Sequence, residues 1–497
     1  MRRKHIVSLF TLLISMMSLQ AQEKVWTVDD CIQYAIEHNH DVRLQRMQLN
    51  DYKADRQRAV GAFLPSVEAN VGGQFNFGRA IDPETNTYTN VNTFYNNYGM
   101  SASVPLFDGF QRINDLRAAK ASVLMGRHGL LAQKDRVAQQ VLEAFFDVQY
   151  YQTALECVKQ KREESTMLLR QTRIMVEVGT KGEADVAQME ATFAADDYEV
   201  TRQQGLLSRA LLQLKKQMNY PAEEELEIKN EELRMKNEEG EMKNEEWRMK
   251  NENYTTNEQS KTHSSFGAKR QFFILHSERS DNWLRRAKGS SFFILHSSFT
   301  PPSIREAEYQ LRSAKYAYRS SKGALLPSIS VGAGASTTYF KQIGAQSSRN
   351  FANQFRNNAG EYVYATLSIP LFNRLNTISN IRRQRNNVER ARENLDHARQ
   401  ELHRLIQETV IDQQNSWMEM QKMQEKVEAD SIAAQFAIRK YQEGISSSID
   451  VQTATVALLQ SKAQLLQCRL NYVYKTRILN YYQGIPLWTE SSKRRKD

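Results

Sequence analysis

The chain has 497 residues but only nine prolines, where average usage near 5% would give roughly 25. A quarter of the residues are charged, and past the amino-terminal segment no stretch has the ~20 apolar residues of a spanning helix, which excludes a helical multi-span membrane protein but not a β-barrel. The net charge of +10 is spread beside acidic residues, so nucleic acid is not expected as a partner; Cys31, Cys157 and Cys468 are too scattered for a disulfide framework or a zinc site, and neither metal nor cofactor is expected.

In chain order, a basic start, Met1-Arg2-Arg3-Lys4-His5, an apolar run over 6–19 and Gln20-Ala21 read as a secretory signal peptide over residues 1–21. The mature chain is then exported. Residues 22–221 read as helix, hairpin, long helix, turn and helix, with a 36-residue helix over 27–62, a 70-residue helix over 109–178 and a 36-residue helix over 183–218. Two proline-free windows of 115 residues, one between Pro105 and Pro221 and one between Pro370 and Pro486, leave room for helices of that length.

Residues 301–487 repeat this order. Gly61-Ala62-Phe63-Leu64-Pro65-Ser66 returns as Gly323-Ala324-Leu325-Leu326-Pro327-Ser328, and Ser103-Val104-Pro105-Leu106-Phe107 returns as Ser368-Ile369-Pro370-Leu371-Phe372. Gly179 with Asp185-Val186 matches Gly444 with Asp450-Val451, 74 residues after Pro105 and Pro370 respectively, so the chain is read as a duplication. Pro65, Pro105, Pro327 and Pro370 are expected where helix meets strand, and Pro83 in an external loop.

The hairpins alternate. Val67, Ala69, Val71, Phe75 and Phe77 oppose Glu68, Asn70, Gln74 and Asn76, and the return strand sets Tyr98, Met100, Ala102 and Val104 against Asn97, Gly99, Ser101 and Ser103. Ile329, Val331, Ala333 and Ala335 alternate with serines and glycines, as do Val363, Ala365, Leu367 and Ile369 with Tyr364, Thr366 and Ser368. Such strands suit a barrel wall with lipid outside and water inside, although a soluble sandwich predicts the same pattern. Four strands cannot close a barrel when the smallest need about eight, so the barrel is expected to be shared, and three copies would supply about twelve strands.

The helices carry heptad seams: Val137, Val141, Ala144, Val148, Tyr151, Leu155 and Val158 in the long helix, and Val451, Ala454, Leu458, Leu465, Cys468 and Tyr472 in the last, with Ser461 in the missing slot. Cys468 is thereby expected to be a small buried hydrophobe. The expected fold class is mainly α with membrane β, a long antiparallel coiled-coil α-barrel plus a β-barrel of four strands per chain in a trimer.

Residues 222–300 break the pattern. Arg234-Met235-Lys236-Asn237-Glu238-Glu239 nearly recurs twice, and Phe-Phe-Ile-Leu-His-Ser stands at both 272–277 and 292–297. The codons AGA ATG AAG AAT GAA GAA for the first motif have TTC TTC ATT CTT CAT TCT, the second, as their reverse complement. This stretch is read as translated inverted-repeat DNA forming a low-complexity linker, with a functional acidic helix as the rival reading. The second half is expected to resume at a Ser303-x-x-Glu306 capping box and to end in a basic tail over 488–497.

Together the signal peptide, the duplicated halves, the GAxLPS and SxPLF boundaries and the Gly-x5-Asp-Val turns resemble the TolC family of outer-membrane efflux proteins. The resemblance implies a homotrimeric channel through the outer-membrane lipid with a periplasmic helical tunnel, which would meet a periplasmic adaptor and an inner-membrane transporter in a tripartite efflux or type I secretion system. It implies no enzymatic activity. The turns containing Val178, Gly179, Thr180 and Gly182 and containing Gly444, Ile445 and Ser446 would form the tip and dock the adaptor. Asp450 would constrict the closed tip, and Thr453 stands where the family has a second acid. Ser447-x-x-Asp450 is also a capping box, so gate and helix cap stay open as roles for Asp450. A periplasmic coiled-coil protein without channel activity, or a channel whose assembly the insertion impairs, stays open as well.

Overall fold

The long helices follow from the scarcity of breakers, and the glycines that remain stand where the helices must turn. The structure, a computed structural model, describes residues 25–81, 87–90, 92–228, 300–343 and 350–488. The expected signal peptide, Pro83, nearly all of the insertion and the end of the basic tail lie outside the described residues. The first half runs α1 (Val28–His38), α2 (His40–Gly61), β1 (Ser66–Asn76), β2 (Arg79–Ile81), β3 (Tyr88–Asn90), β4 (Thr93–Phe107), α3 (Gln111–Glu177) and α4 (Glu183–Met218). The second runs α5 (Pro302–Gly323), β5 (Ser328–Gln342), α6 (Phe351–Asn357), β6 (Gly360–Ser368), α7 (Asn376–Gln442) and α8 (Ser448–Tyr482). No helix among the described residues is long and apolar enough to cross a membrane.

The four long strands form one antiparallel sheet in the order β1-β4-β5-β6, while β2 and β3 form a small ribbon of their own. Val67 pairs with Ala102, Met100 with Ala335 and Ala333 with Val363, so the alternation of each strand falls in register and one face is apolar across all four strands next to the helices, giving way to Asn96, Lys341 and Glu361 toward the other end. The opposite face carries Glu68, Asn70, Ser101, Ser103, Gly332 and Gly334, with the Tyr362 and Tyr364 rings lying over the two glycines where a side chain would collide.

The long helices α3 and α7 have 67 residues each. Both begin later than the prolines suggest, because Gly109 and Phe110 in one half, and Arg374 and Leu375 in the other, take consecutive left-handed conformations with φ between 57° and 67°. Asp108 then accepts the Arg112 backbone N–H at 3.0 Å and Asn373 that of Thr377 at 3.4 Å, the same side-chain cap at both starts.

The helix expected over 27–62 is two helices. Asn39 takes extended backbone, its side-chain oxygen caps α2 by accepting from Asp41 N–H at 2.8 Å, and its amide donates to Gln217 O at 2.9 Å. Asn219, left-handed at the end of α4, returns a bond to His38 O at 3.1 Å, so two asparagines stitch the α1–α2 break to the α4 terminus. The 22 residues of α2 equal the 22 of α5, so the short helices that lead into the sheet match in length; the counterpart of α1 would fall outside the described residues. Moreover α5 opens on Pro302, whose fixed φ suits a first helical position, so Ser303 lies inside the helix and is not its cap.

Two compact units result. Gln45–Leu131 with Pro302–Gln400 holds the sheet, most of α2, the start of α3, α5 and the start of α7. There Gly126 packs against Leu49 and Tyr52, the Ser122 and Ser313 hydroxyls lie 3.0 Å apart, and His128 stacks on Tyr309. The other unit holds α1, α4, α8 and the remainder of α3 and α7. In it Leu155 and Val158 meet Val200, Leu207 and Leu459, and Ile406 and Val410 meet Leu479 and Tyr482. The α3 seam is buried at every position except the half-buried Tyr151, whereas Cys468 on the α8 seam is half-buried, not the core residue expected, because α8 has only partial cover along this stretch.

Candidate functional site

Two places carry the residues that a channel would use, one in each compact unit. The first is the sheet. Its outer strands are β1 and β6; all of β6 and all of β1 except Asn76 are exposed, with Val71 72% and Val363 79% accessible. A strand that is bare on both faces and on one edge offers a row of unpaired backbone N–H and C=O groups to a further strand. Pro65 and Pro327 sit directly ahead of β1 and β5, and Pro370 follows β6. Pro105, expected at a boundary, lies inside β4, where the pairing shifts between Pro105↔Ser330 and Phe107↔Ile329. A bulge accepts proline because one ladder donor is already unpaired there. The bulge also turns Phe107 onto the apolar face beside Ile329.

Beyond the end of β6 the β5 edge is covered by side chains. Phe340 N–H donates to Gln354 Oε1 at 2.8 Å, Gln354 Nε2 donates to Phe340 O at 2.9 Å, and Asn358 Nδ2 donates to Thr338 O at 2.6 Å. A primary amide thus reproduces the donor and acceptor of a strand residue, and Phe351 and Phe355 of α6 pack on Tyr98.

The second place is the pair of turns after α3 and α7, both in the unit with α4 and α8. The turns are built alike. Gly179 (φ 77°) and Gly444 (φ 74°) supply the left-handed residue; Thr180 N–H returns to Met175 O at 2.9 Å and Ile445 N–H to Lys440 O at 2.8 Å. Lys181 bridges them, its ammonium 4.3 Å from the centre of the Tyr441 ring and 3.4 Å from Ser446 O. Tyr441, 1% exposed, bonds Thr172 Oγ1 at 2.6 Å. The Thr172 hydroxyl already donates to Leu168 O at 2.8 Å, so the tyrosine hydroxyl is the donor.

Asp450 stands in the first turn of α8 as the acid of a complete capping box. Its Oδ2 accepts from Ser447 N–H and Ser447 Oγ, each at 3.0 Å, and Ser447 Oγ accepts from Asp450 N–H at 3.3 Å. Those bonds, the backbone one first, and the charge of Lys440 hold its carboxyl below the usual carboxylate range. Thr453 is exposed and returns its hydroxyl to Ile449 O at 2.8 Å. Across the other turn Gly182 N–H donates to Asp185 Oδ2 at 3.3 Å, and the exposed Val178 and Ile445 lead the two loops. The structure brings both turns, Asp450 and Thr453 into one unit; it gives Lys181, within the first turn, a partner in the second, and adds Tyr441 and Thr172, which the sequence motifs did not flag. The heptad spacing around Tyr441 carries no mark of a partner 269 residues away. Among the described residues no group of three or more His, Cys, Asp or Glu is placed to hold a metal.

The fold is similar to that of the Vibrio cholerae outer membrane protein VceC (TM-score 0.69, 12% identity, 93% of this chain and 96% of that one). It is also similar to the Campylobacter jejuni CmeC outer membrane channel (0.68, 15%, 94% and 88%) and to the open state of the Neisseria gonorrhoeae MtrE outer membrane channel (0.65, 15%, 93% and 89%). No curated protein matches the sequence. The sequence profile of one family matches residues 31–219 and 300–479, which takes in both sets of repeated elements and leaves out the stretch between them, and the chain belongs to that family, the outer membrane efflux proteins.

Proposed function

We propose that this protein is the outer-membrane channel of a tripartite exporter, a homotrimeric passive duct for substrates that an inner-membrane pump delivers through a periplasmic adaptor. The observation that carries this reading is the sheet: four strands, an apolar band across one face, one polar face and two bare edges. In hydrocarbon every backbone group must be paired within protein, so such edges are tolerable only where another copy continues the sheet, and about twelve strands from three chains would close it. The polar face, rich in Ser, Gly and Asn, would then line water. The domain organisation read from sequence fits this role: residues 1–21 direct export, 22–221 and 301–487 build the two repeats, 222–300 connect them and 488–497 form a tail.

The turns at Val178, Gly179, Thr180 and Gly182 and at Gly444, Ile445 and Ser446 form the adaptor-facing end, and Asp450 with Thr453 lines its constriction. Capping and gating are compatible for Asp450, because the Ser447 bonds fix where its charge stands. Three copies of that charge would attract cations and repel one another. Recovery of a heat-modifiable trimer from detergent-extracted outer membranes, with ion conductance in planar bilayers, is the expected result; recovery of only a soluble periplasmic monomer would sink the reading.

A further inference from the structure

Within the unit that holds the sheet, a groove of about 690 Å³ opens between the start of α3 and the end of α5. Its apolar wall is Phe110, Ile113, Leu325 and Leu326, all exposed. Phe110 owes its position to the left-handed turn ahead of α3, and its ring meets that of Phe107 edge to face at 5.3 Å. Because the bulge in β4 puts Phe107 on the apolar face beside Ile329, the groove continues that face past the end of the strands. Its other wall is cationic: Arg117, Arg319 and Lys322 line it, and none of them forms an ion pair among the described residues. The nearby Arg112 is different, being paired with Asp108 at 2.9 Å. Arg319 lies 5.7 Å from the Tyr316 ring centre and Lys322 4.4 Å from that of Tyr318, so aromatic rings and cations interleave at this level. The same field shows in the Tyr316 phenol, which is held below its ordinary pKa first by its hydrogen bond to Arg312 and then by the charges of Arg312, Arg117 and Arg319.

Apolar surface that runs into unneutralised cations where a membrane wall meets helix is complementary to one kind of molecule, an acyl chain that ends in a phosphate. The geometry points to a binding site for an anionic phospholipid of the periplasmic leaflet, with the headgroup phosphate at Arg117, Arg319 and Lys322 and the first part of an acyl chain over Phe110 and Phe107. The volume is within the range of sites that hold small organic ligands. A segment of a second copy is the competing occupant, but it would leave three cations facing an apolar cover.

This assignment rests on the reading of the sheet as a membrane wall, so the test begins with fractionation. The full chain and an Arg117→Gln/Arg319→Gln/Lys322→Gln variant are recovered from outer membranes; absence of both from that fraction would count against the membrane reading itself. Recovered protein in detergent is titrated with palmitoyl-oleoyl-phosphatidylglycerol and followed by native mass spectrometry, with inorganic phosphate as competitor. The expected result is retained lipid on the wild type and binding weaker by about tenfold or more in the variant, since each cation adds to headgroup attraction. A lysine variant, Arg117→Lys/Arg319→Lys, is expected to restore it. Equal binding in wild type and glutamine variant, displacement of the lipid by inorganic phosphate, or a chain-to-chain cross-link from Leu325→Cys that fills the groove would each overturn the assignment.

Discussion

At the scale of single residues, the turn-bearing unit is held by polar contacts that leave little slack. Tyr441 places its hydroxyl on a threonine whose own proton is already committed, so Tyr441→Phe removes one buried bond while keeping the ring under the Lys181 ammonium. The expected loss is about 1 kcal/mol, read as a lower denaturation midpoint, together with higher single-channel conductance if the tyrosine restrains the closed tip. An unchanged conductance would leave only the packing role. Asp450 has a directional pH signature. Its carboxyl titrates below the ordinary value in the folded chain, so its contribution to stability is present above pH about 4 and fades as pH falls through the lower folded pKa. Asp450→Ala is expected to remove that acid dependence, raise conductance and weaken block by divalent cations; unchanged conductance and block would reduce the residue to its cap. Asp135 shows the opposite shift, raised first by burial, while it accepts from Tyr481 Oη and Trp488 Nε1, each at 2.7 Å. Its contribution is therefore fullest at low pH and is lost as pH rises through the folded pKa.

Elements meet closely where the repeats touch. Gly109 and Gly323 approach backbone to backbone, so a methyl group on either would collide with the other's carbonyl, and Gly109 also needs its left-handed φ of 67°. Gly61, the sequence counterpart of Gly323, has open space around it within the chain. Gly323→Ala is expected to cost roughly 1–3 kcal/mol through overpacking, whereas Gly61→Ala stays within about 0.5 kcal/mol for the isolated chain. Comparing the two midpoints in urea checks this, and equal effects would contradict the geometry. Such pairs explain what was legible in the sequence. Gly-Ala-x-Leu-Pro-Ser announces itself by returning in both halves, the paired turns because Gly179 and Gly444 take left-handed backbone that disfavours a side chain, and alternation announced the strands because each has one face for each solvent. The break at Asn39 did not, since Asn-His-Asp inside a charged helical window carries no breaker and the bonds that stop the helix come from Gln217 and Asn219. Nor did Gln354, whose strand-like pairing depends on a short helix in a loop between strands.

At the scale of the whole molecule, strand count decides how the sheet can close. Within one chain β1 and β6 are separated by two strands, roughly 14 Å at about 4.8 Å per step, which is beyond disulfide reach. Cysteines placed together as Asn70→Cys on β1 and Tyr364→Cys on β6 are therefore expected to cross-link only between chains, giving a covalent trimer on non-reducing gels of outer-membrane extracts. Intrachain closure, or no cross-link at any neighbouring pair of positions on the two strands, would refute a sheet continued by a second copy. Apolar and polar faces are local properties of each strand and so legible in sequence, whereas the register that aligns them across four strands rests on pairings such as Met100 with Ala335, hundreds of residues apart, and the bulge at Pro105 re-sets only the last pair.

The Gln354 amide on β5 has a further consequence. β5 has 15 residues but β6 only nine, pairing as far as Ser336↔Gly360, after which the amides of Asn358 and Gln354 occupy the ladder positions at Thr338 and Phe340. The amide acts as a stop block: β6 has no ladder position left to grow into, and the rim of the wall is stepped down on that side by side-chain chemistry instead of by a change in strand sequence. A substitution that releases an amide, such as Gln354→Ala, is thus expected to alter pairing at that end of β5 while the register of the pairs up to Ser336↔Gly360 is kept.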